Sequence, residues 1–244
     1  MVVLAEMIIF ASGKGGVGRS AVCAHLAAAL ARRGKRVLVL EACRGFRCMD
    51  ILLGLPGQAV YDLSDALEGR CSLGEAIQAH EPSGLRVMLA PSDPEYLPAE
   101  DRLDALCRWA DRRWDFVLAD CAGGFGPMEE LLARQAGLAL VVTTPEEAAA
   151  RCAAKTSALL ARQGLANQRL IINRIPRDFL PTPAIRDLDD VIDQAGVQLL
   201  GAVPEQPGGL PPPGGEAPET LAGRELDAIA RRLLGERAEL VLYP

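Results

Sequence analysis

No stretch of this chain approaches the roughly 18 to 20 consecutive apolar residues that a membrane-spanning helix needs. The first residues carry no basic segment ahead of a long apolar run, so no secretory leader is expected. No C-x-x-C pair exists, and the seven cysteines (Cys23, Cys43, Cys48, Cys71, Cys107, Cys121 and Cys152) are scattered and odd in number. That argues against a disulfide framework and against a zinc or iron–sulfur centre, and it fits a reducing cytoplasm. Most of the thiols read as small core residues. Positive charge is also short: 26 Lys and Arg stand against 32 Asp and Glu, a formal net charge of −6. Direct nucleic-acid binding is therefore not expected, and anionic lipid is a poor docking surface for the chain. The two histidines, His25 and His80, have no serine or cysteine motif nearby, and neither is assigned a catalytic role. No internal repeat and no second domain are visible, so residues 1–244 are expected to form one domain, long enough to bury a sizeable core.

What is present is an alternation. Short, apolar, β-branched runs at 7–11, 36–40, 85–89, 116–119, 138–143, 169–172 and 198–202 read as strands. Helical patterns fill 20–33, 62–67, 102–112, 129–134, 146–162, 184–194 and 220–234, with Gly34 and Gly164 where C-caps are expected. The Pro- and Gly-rich stretch 206–218 reads as a loop, since a single helix follows it. Strands this apolar, alternating with helices, predict an α/β fold: one doubly wound, mostly parallel sheet with helices on both faces. Ligands bind such sheets at the carboxyl ends of the strands.

One segment identifies the ligand class. Ser12-Gly13-Lys14-Gly15-Gly16-Val17-Gly18-Arg19-Ser20 follows the first strand and opens a long Ala/Leu-rich helix. This is the strand, glycine loop, helix order of a phosphate-binding P-loop, matching G-x-x-x-x-G-K-[ST] at every fixed position except Arg19, which stands where lysine belongs. Backbone N–H groups in such a loop, together with the helix N-terminus behind it, form an anion hole. Gly13, Gly15, Gly16 and Gly18 permit the close approach this requires, and Ser20 offers a hydroxyl to Mg2+. Arginine keeps the positive charge of lysine but is longer, planar and bidentate, so binding can survive while transition-state placement suffers.

With Lys14 included, the loop resembles the deviant Walker A motif, KGGxGK[ST], of the MinD/ParA family of P-loop ATPases. Further ordered segments extend the likeness along nearly the whole chain. These are Val37 to Asp50, Tyr61 to Gly69, the Walker B-like Asp115 to Gly124, Val141 to Glu146 and Ile171 to Ile175, and together they lie nearer the MinD branch than its relatives. The resemblance implies an ATP-dependent switch that dimerises face to face with nucleotide buried between subunits, acting in placement of the bacterial division site. It implies that Lys14 reaches the partner subunit's phosphates, that Asp120 supports Mg2+ as the Walker B carboxylate, and that Asn173 reads the adenine edge with Pro204 and Glu205 nearby. Gly13 to Ser20, Val17 included, would cradle the phosphates. Arg47 falls in the region the family uses for partner response. MinC-like and MinE-like proteins are the implied partners, and a cytoplasmic chain would reach the inner membrane through them.

The departures from the family pattern bear on hydrolysis. The Asp-Ala-Asp that follows the family's second strand is Glu41-Ala42-Cys43 here. Glu41 keeps a carboxylate of catalytic type. Cys43 replaces the aspartate that resembles the water-orienting group, and a neutral thiol with an ordinary pKa of about 8.5 is a weak substitute. Slow or absent ATP hydrolysis is the expectation, and a nucleotide-binding scaffold without turnover is the alternative. Flagellar-number and partitioning ATPases of the same class also remain open. The C-terminal stretch 236–244 lacks the basic amphipathic helix that anchors this family to membrane, and it is expected to pack on its own sheet. Tyr243 alone does not make the tyrosine cluster of the related bacterial kinases.

Overall fold

The computed structural model describes residues 5–43, 47–55 and 59–240. In chain order the elements are β1 (Glu6–Ser12), α1 (Arg19–Arg32), β2 (Val37–Glu41), α2 (Met49–Leu53), α3 (Leu63–Leu67), β3 (Ile77–Ala79), β4 (Arg86–Met88) and α4 (Glu100–Ala110). There follow β5 (Phe116–Gly123), α5 (Pro127–Gln135), β6 (Leu138–Thr143), α6 (Glu147–Arg162), β7 (Gln168–Ile175), α7 (Leu188–Ala195), β8 (Leu199–Pro204) and α8 (Leu221–Leu233). The eight strands form one sheet in the order β3-β4-β2-β5-β1-β6-β7-β8. Every pairing is parallel except β3 with β4.

The sheet is buried on both faces, and β1 shows how. Its side chains alternate with the period of a strand: Ile8 and Phe10 join one apolar cluster, with α1, α2 and α8, while Met7, Ile9 and Ala11 join the other, with α3 to α7. Strands covered on both sides need apolar residues at every position, which is why β2 reads Val-Leu-Val-Leu before Glu41. The doubly wound architecture expected from the sequence is the one observed.

All seven expected strands and all seven expected helices are present, with ends displaced by a few residues. Two ends shift by four residues: β5 runs on to Gly123, and α7, expected from residue 184, starts at Leu188, because Asp187 caps it by accepting from the Asp190 N–H at 3.0 Å. Two short elements carry no sequence signal. β3 is three half-buried residues on the sheet edge, too short to show alternation. The five-residue α2 is held from outside itself, its first N–H groups bonding to the Glu41 carboxylate. Gly34 (φ 75°) and Gly164 (φ 90°) follow their helices in the left-handed conformation, as the C-cap reading requires. No regular element lies between β8 and α8. Beyond α8, residues 236–240 run along that helix, where Arg232 Nε donates to the Ala238 carbonyl at 3.0 Å. Tyr243 and the rest of 241–244 lie outside the described residues, as do 44–46 of the stretch after β2.

Candidate nucleotide site

The strands β1 and β5 lie side by side at the centre of the sheet, and their carboxyl ends deliver the loop 13–18 and Asp120 to the same place. Two contacts shape the loop. A Cβ on Gly13 would sit 2.5 Å from the Cys152 carbonyl oxygen and 2.7 Å from Thr156 Oγ1, so the glycine lets the loop lie directly on α6. Gly18, with φ 83°, is the N-cap of α1, and a Cβ there would meet Asn173 Nδ2 at 2.4 Å. Asn173 itself donates from Nδ2 to the Val17 carbonyl at 2.8 Å, tying β7 to the loop. Among the described residues no side chain caps α1, and no acidic residue sits in its first turn. Its leading N–H groups and the positive end of its dipole therefore face the loop without a protein anion, the arrangement that accepts phosphate.

Arg19 organises the floor of this site. It is 9% exposed, and its guanidinium donates from Nε to Asp120 Oδ1 at 2.6 Å, from Nη1 to Ser12 Oγ at 3.3 Å, and from Nη2 to Ser20 Oγ at 3.3 Å and Cys43 Sγ at 3.1 Å. Those bonds engage four of its five N–H groups. Burial disfavours the charged guanidinium, but the adjacent Asp120 carboxylate outweighs it and holds Arg19 above its ordinary range, permanently cationic. Asp120 is fully buried, and its Oδ2 lies 3.5 Å from the Cys43 thiol. Cys43 also lies within donor distance of the Asp120 and Cys121 carbonyls, at 3.4 and 3.2 Å. Burial and then Asp120 push this thiol far above the usual range, so Cys43 stays protonated and neutral.

Glu41 has the same depth and a different setting. Its carboxylate accepts from the backbone N–H of Cys48 at 2.7 Å, of Met49 at 2.8 Å and of Ala90 at 3.0 Å. Burial raises its pKa, and these three donors counter the shift only in part. The carboxylate thus fixes the start of α2 and the end of β4 around the P-loop's flank. Lys14 stands at the rim, half-exposed, in an ion pair with Glu146 of the same chain.

Two cavities flank the loop. One, of about 400 Å3, is lined by Gly18, Asn173, Val203, Pro204, Glu205 and Leu210. The other, of about 470 Å3, is lined by Lys14, Gly16, Thr144, Glu146, Arg174 and Phe179. The expected adenine-edge residues Asn173, Pro204 and Glu205 are thus brought together beside the helix N-terminus. Arg174 lines both cavities and was not anticipated from the sequence. Its φ of 56° is the one left-handed value at a non-glycine position among the described residues, and it lies where the β7–β8 register breaks between Ile172 and Ile175. A strained residue at a bulge beside a pocket re-aims side chains at the site. Nothing in a run such as Leu170 to Ile175 marks the bulge in advance. Thr144, also unanticipated, is buried, and its hydroxyl has no hydrogen-bond partner among the described residues.

Ser20 and Asp120 are the residues that would hold Mg2+, and here both accept from Arg19. Magnesium demands oxygen ligands at about 2.0–2.1 Å in octahedral geometry. With a guanidinium nitrogen bonded to each ligand, a fixed cation already sits against both, so the residues as arranged do not fit the ion.

Residues 8–208 match the CobQ/CobB/MinD/ParA nucleotide binding domain. The septum site-determining protein MinD of Bacillus subtilis (strain 168) is 30% identical over 246 aligned positions, covering 97% of this chain and 92% of that protein. Among solved structures, a chain of the MinC:MinD cell division protein complex of Aquifex aeolicus superposes with a TM-score of 0.84 at 28% identity, covering 98% of this chain and 100% of that one. The Pyrococcus furiosus cell division ATPase MinD superposes with a TM-score of 0.82 at 25% identity, covering 95% and 99%.

Proposed function

The chain belongs to the CobQ/CobB/MinD/ParA family of nucleotide-binding proteins, and from that premise we propose that it is a MinD-like ATP-binding switch in bacterial division-site placement. The observation that carries the reading is the uncapped N-terminus of α1 behind the glycine loop, with Asn173, Pro204 and Glu205 gathered in the adjoining cavity. In this reading residues 1–244 work as one domain. Backbone N–H groups from Gly13 through Ser20 hold the phosphates, Asn173 with Pro204 and Glu205 faces the base, and Asp120 with Arg19 forms the floor beneath them.

Lys14 acts across a dimer interface. Its ion pair to Glu146 in the same chain must open before it reaches a partner's nucleotide, and ATP-dependent homodimerisation supplies the replacement anion. A MinC-like protein is the partner that reads the dimer, in keeping with the MinC:MinD complex to which a structural neighbour belongs, and a MinE-like protein is its counterpart by family analogy. The chain works in the cytoplasm. No helix among the described residues is long and apolar enough to cross a membrane, and in this reading any membrane contact is made through partners.

Hydrolysis is weak in this reading, because the neutral Cys43 thiol stands where a water-orienting carboxylate is needed and the guanidinium of Arg19 is bonded to Asp120. Calorimetric titration of the purified chain with ATP and ADP, followed by sedimentation of each complex, tests the proposal. Binding of both nucleotides, with dimer formed in ATP alone, is expected. A Kd weaker than about 1 mM for both would overturn it.

A further inference from the structure

The Arg19 guanidinium is placed where a divalent cation would do its work. A P-loop metal ion makes two connections on the protein side, to the hydroxyl that follows the loop's basic residue and to the carboxylate at the end of the neighbouring strand. In this chain one planar cation makes both, bonding Ser20 Oγ at 3.3 Å and Asp120 Oδ1 at 2.6 Å. It is anchored a third time at Ser12 Oγ, on the last residue of β1. The two oxygens of Asp120 are both occupied, Oδ1 by Arg19 and Oδ2 by the Cys43 thiol. Cys43 supplies a soft sulfur, 3.5 Å from Asp120 Oδ2, where a second hard oxygen would have helped a metal, and hard oxygen donors are what Mg2+ selects. Among the described residues no group of three or more His, Cys, Asp or Glu side chains is placed to hold an ion.

Lysine is less suited to making these connections together. Its ammonium is a compact point charge, whereas the guanidinium is a planar fork whose donors reach several acceptors in one plane. The substitution at residue 19 and the substitution at residue 43 therefore act on the same atoms: one brings a fixed cation to Asp120, and the other removes the carboxylate that would have competed for it.

We propose that Arg19 serves as a resident cation of the nucleotide site, taking the position of the divalent ion, so that this chain binds ATP and ADP in their metal-free forms. The inference rests on the nucleotide-binding reading above and adds to it the charge state of the ligand. Metal-free ATP carries its full negative charge to a site where the loop N–H groups and the Arg19 charge are already in place. Metal-bound ATP brings a second cation to the position Arg19 holds and is repelled there.

The test is calorimetric titration of the wild-type chain with ATP and with ADP, in excess Mg2+ and again in excess EDTA, with the Arg19→Lys variant run beside it. The expected result is wild-type affinity in EDTA equal to or tighter than in Mg2+, and about tenfold or greater loss in EDTA for Arg19→Lys, which frees Ser20 and Asp120 for the metal. Wild-type binding that weakens threefold or more in EDTA would overturn the inference and leave the nucleotide-binding reading standing. Absence of binding in both buffers would overturn that reading as well. The wild-type comparison stands by itself if the variant does not fold.

Discussion

Replacing Arg19 by methionine should destabilise the native state by about 3–5 kcal/mol, the range for removing one partner of a buried ion pair. Methionine retains an unbranched stem of similar reach but none of the donors. Asp120, fully buried, then loses the 2.6 Å bond to its Oδ1 and keeps one long thiol contact at Oδ2. The burial of both partners is what sets this magnitude: an exposed pair contributes about 0–1 kcal/mol. In a chain of this length each kcal/mol moves the melting midpoint by about 2–4 °C, so the variant should melt roughly 6–20 °C below wild type. Urea denaturation followed by circular dichroism measures the free energy directly. The double variant Arg19→Met with Asp120→Asn removes the stranded charge and should recover at least about half of the loss, because the uncompensated carboxylate is the larger part of the penalty. A single-variant loss under about 1 kcal/mol would place the pair in the surface class and refute the reasoning. So would a double variant no more stable than the single one.

Two further outcomes follow from the packing and the charges. Gly13→Ala, whose Cβ would press on the Cys152 carbonyl at 2.5 Å, should cost about 1–3 kcal/mol in thermal or urea unfolding, while Gly15→Ala, with no atom of the described residues within 4 Å of its Cβ, should stay within about 0.5 kcal/mol of wild type. Equal effects would show that α6 does not constrain the loop. His25 on α1 is lowered by burial, then by Arg32, to about 4 from 6.5, against a raising bond from the Pro211 carbonyl. The unfolded chain therefore takes up this proton first as pH falls, so stability is full above pH 6.5 and declines toward pH 4 by up to about 3 kcal/mol. In His25→Leu that part of the slope in urea midpoints should vanish. An unchanged slope would show that His25 is not the group responsible.

Much of this molecule was legible because the sheet is covered on both faces. Apolar runs such as Val37 to Leu40 and Leu138 to Thr143 admit no other reading once helices alternate with them. The glycine loop was legible because its geometry requires glycine at Gly16 and Gly18, both of which have positive φ. The need for glycine at Gly13 was legible only as a motif position, since its physical reason is the backbone of α6 some 140 residues away in the chain. The same limit hid Arg174, whose left-handed conformation is imposed by a register break between β7 and β8 rather than by its own preference. It hid α2 as well, because the group that caps it, Glu41, lies at the end of a strand. The Arg19–Asp120 contact spans 101 positions. The sequence marks both residues as altered or retained motif positions, but nothing local says that they meet.

That contact also orders the two departures from the family's motifs, at Arg19 and Cys43. Cys43→Asp alone would set a new carboxylate at a position already 3.1 Å from Arg19 Nη2, and a guanidinium forms bidentate pairs with carboxylates more readily than with a thiol. The new side chain would be captured by Arg19 instead of orienting water. Arg19→Lys alone would release Asp120 and Ser20 while leaving a neutral, protonated thiol where the oriented water needs a base. Each single variant should therefore leave ATP turnover near the wild-type level. The pair together should raise it by about 100-fold, the lower end of what a positioned general base contributes, and make it depend on Mg2+. Steady-state phosphate release from the four proteins, with and without the metal, separates the cases. If Cys43→Asp alone matched the double variant, Arg19 would not be holding the site closed, and the residue that limits hydrolysis would be Cys43 by itself.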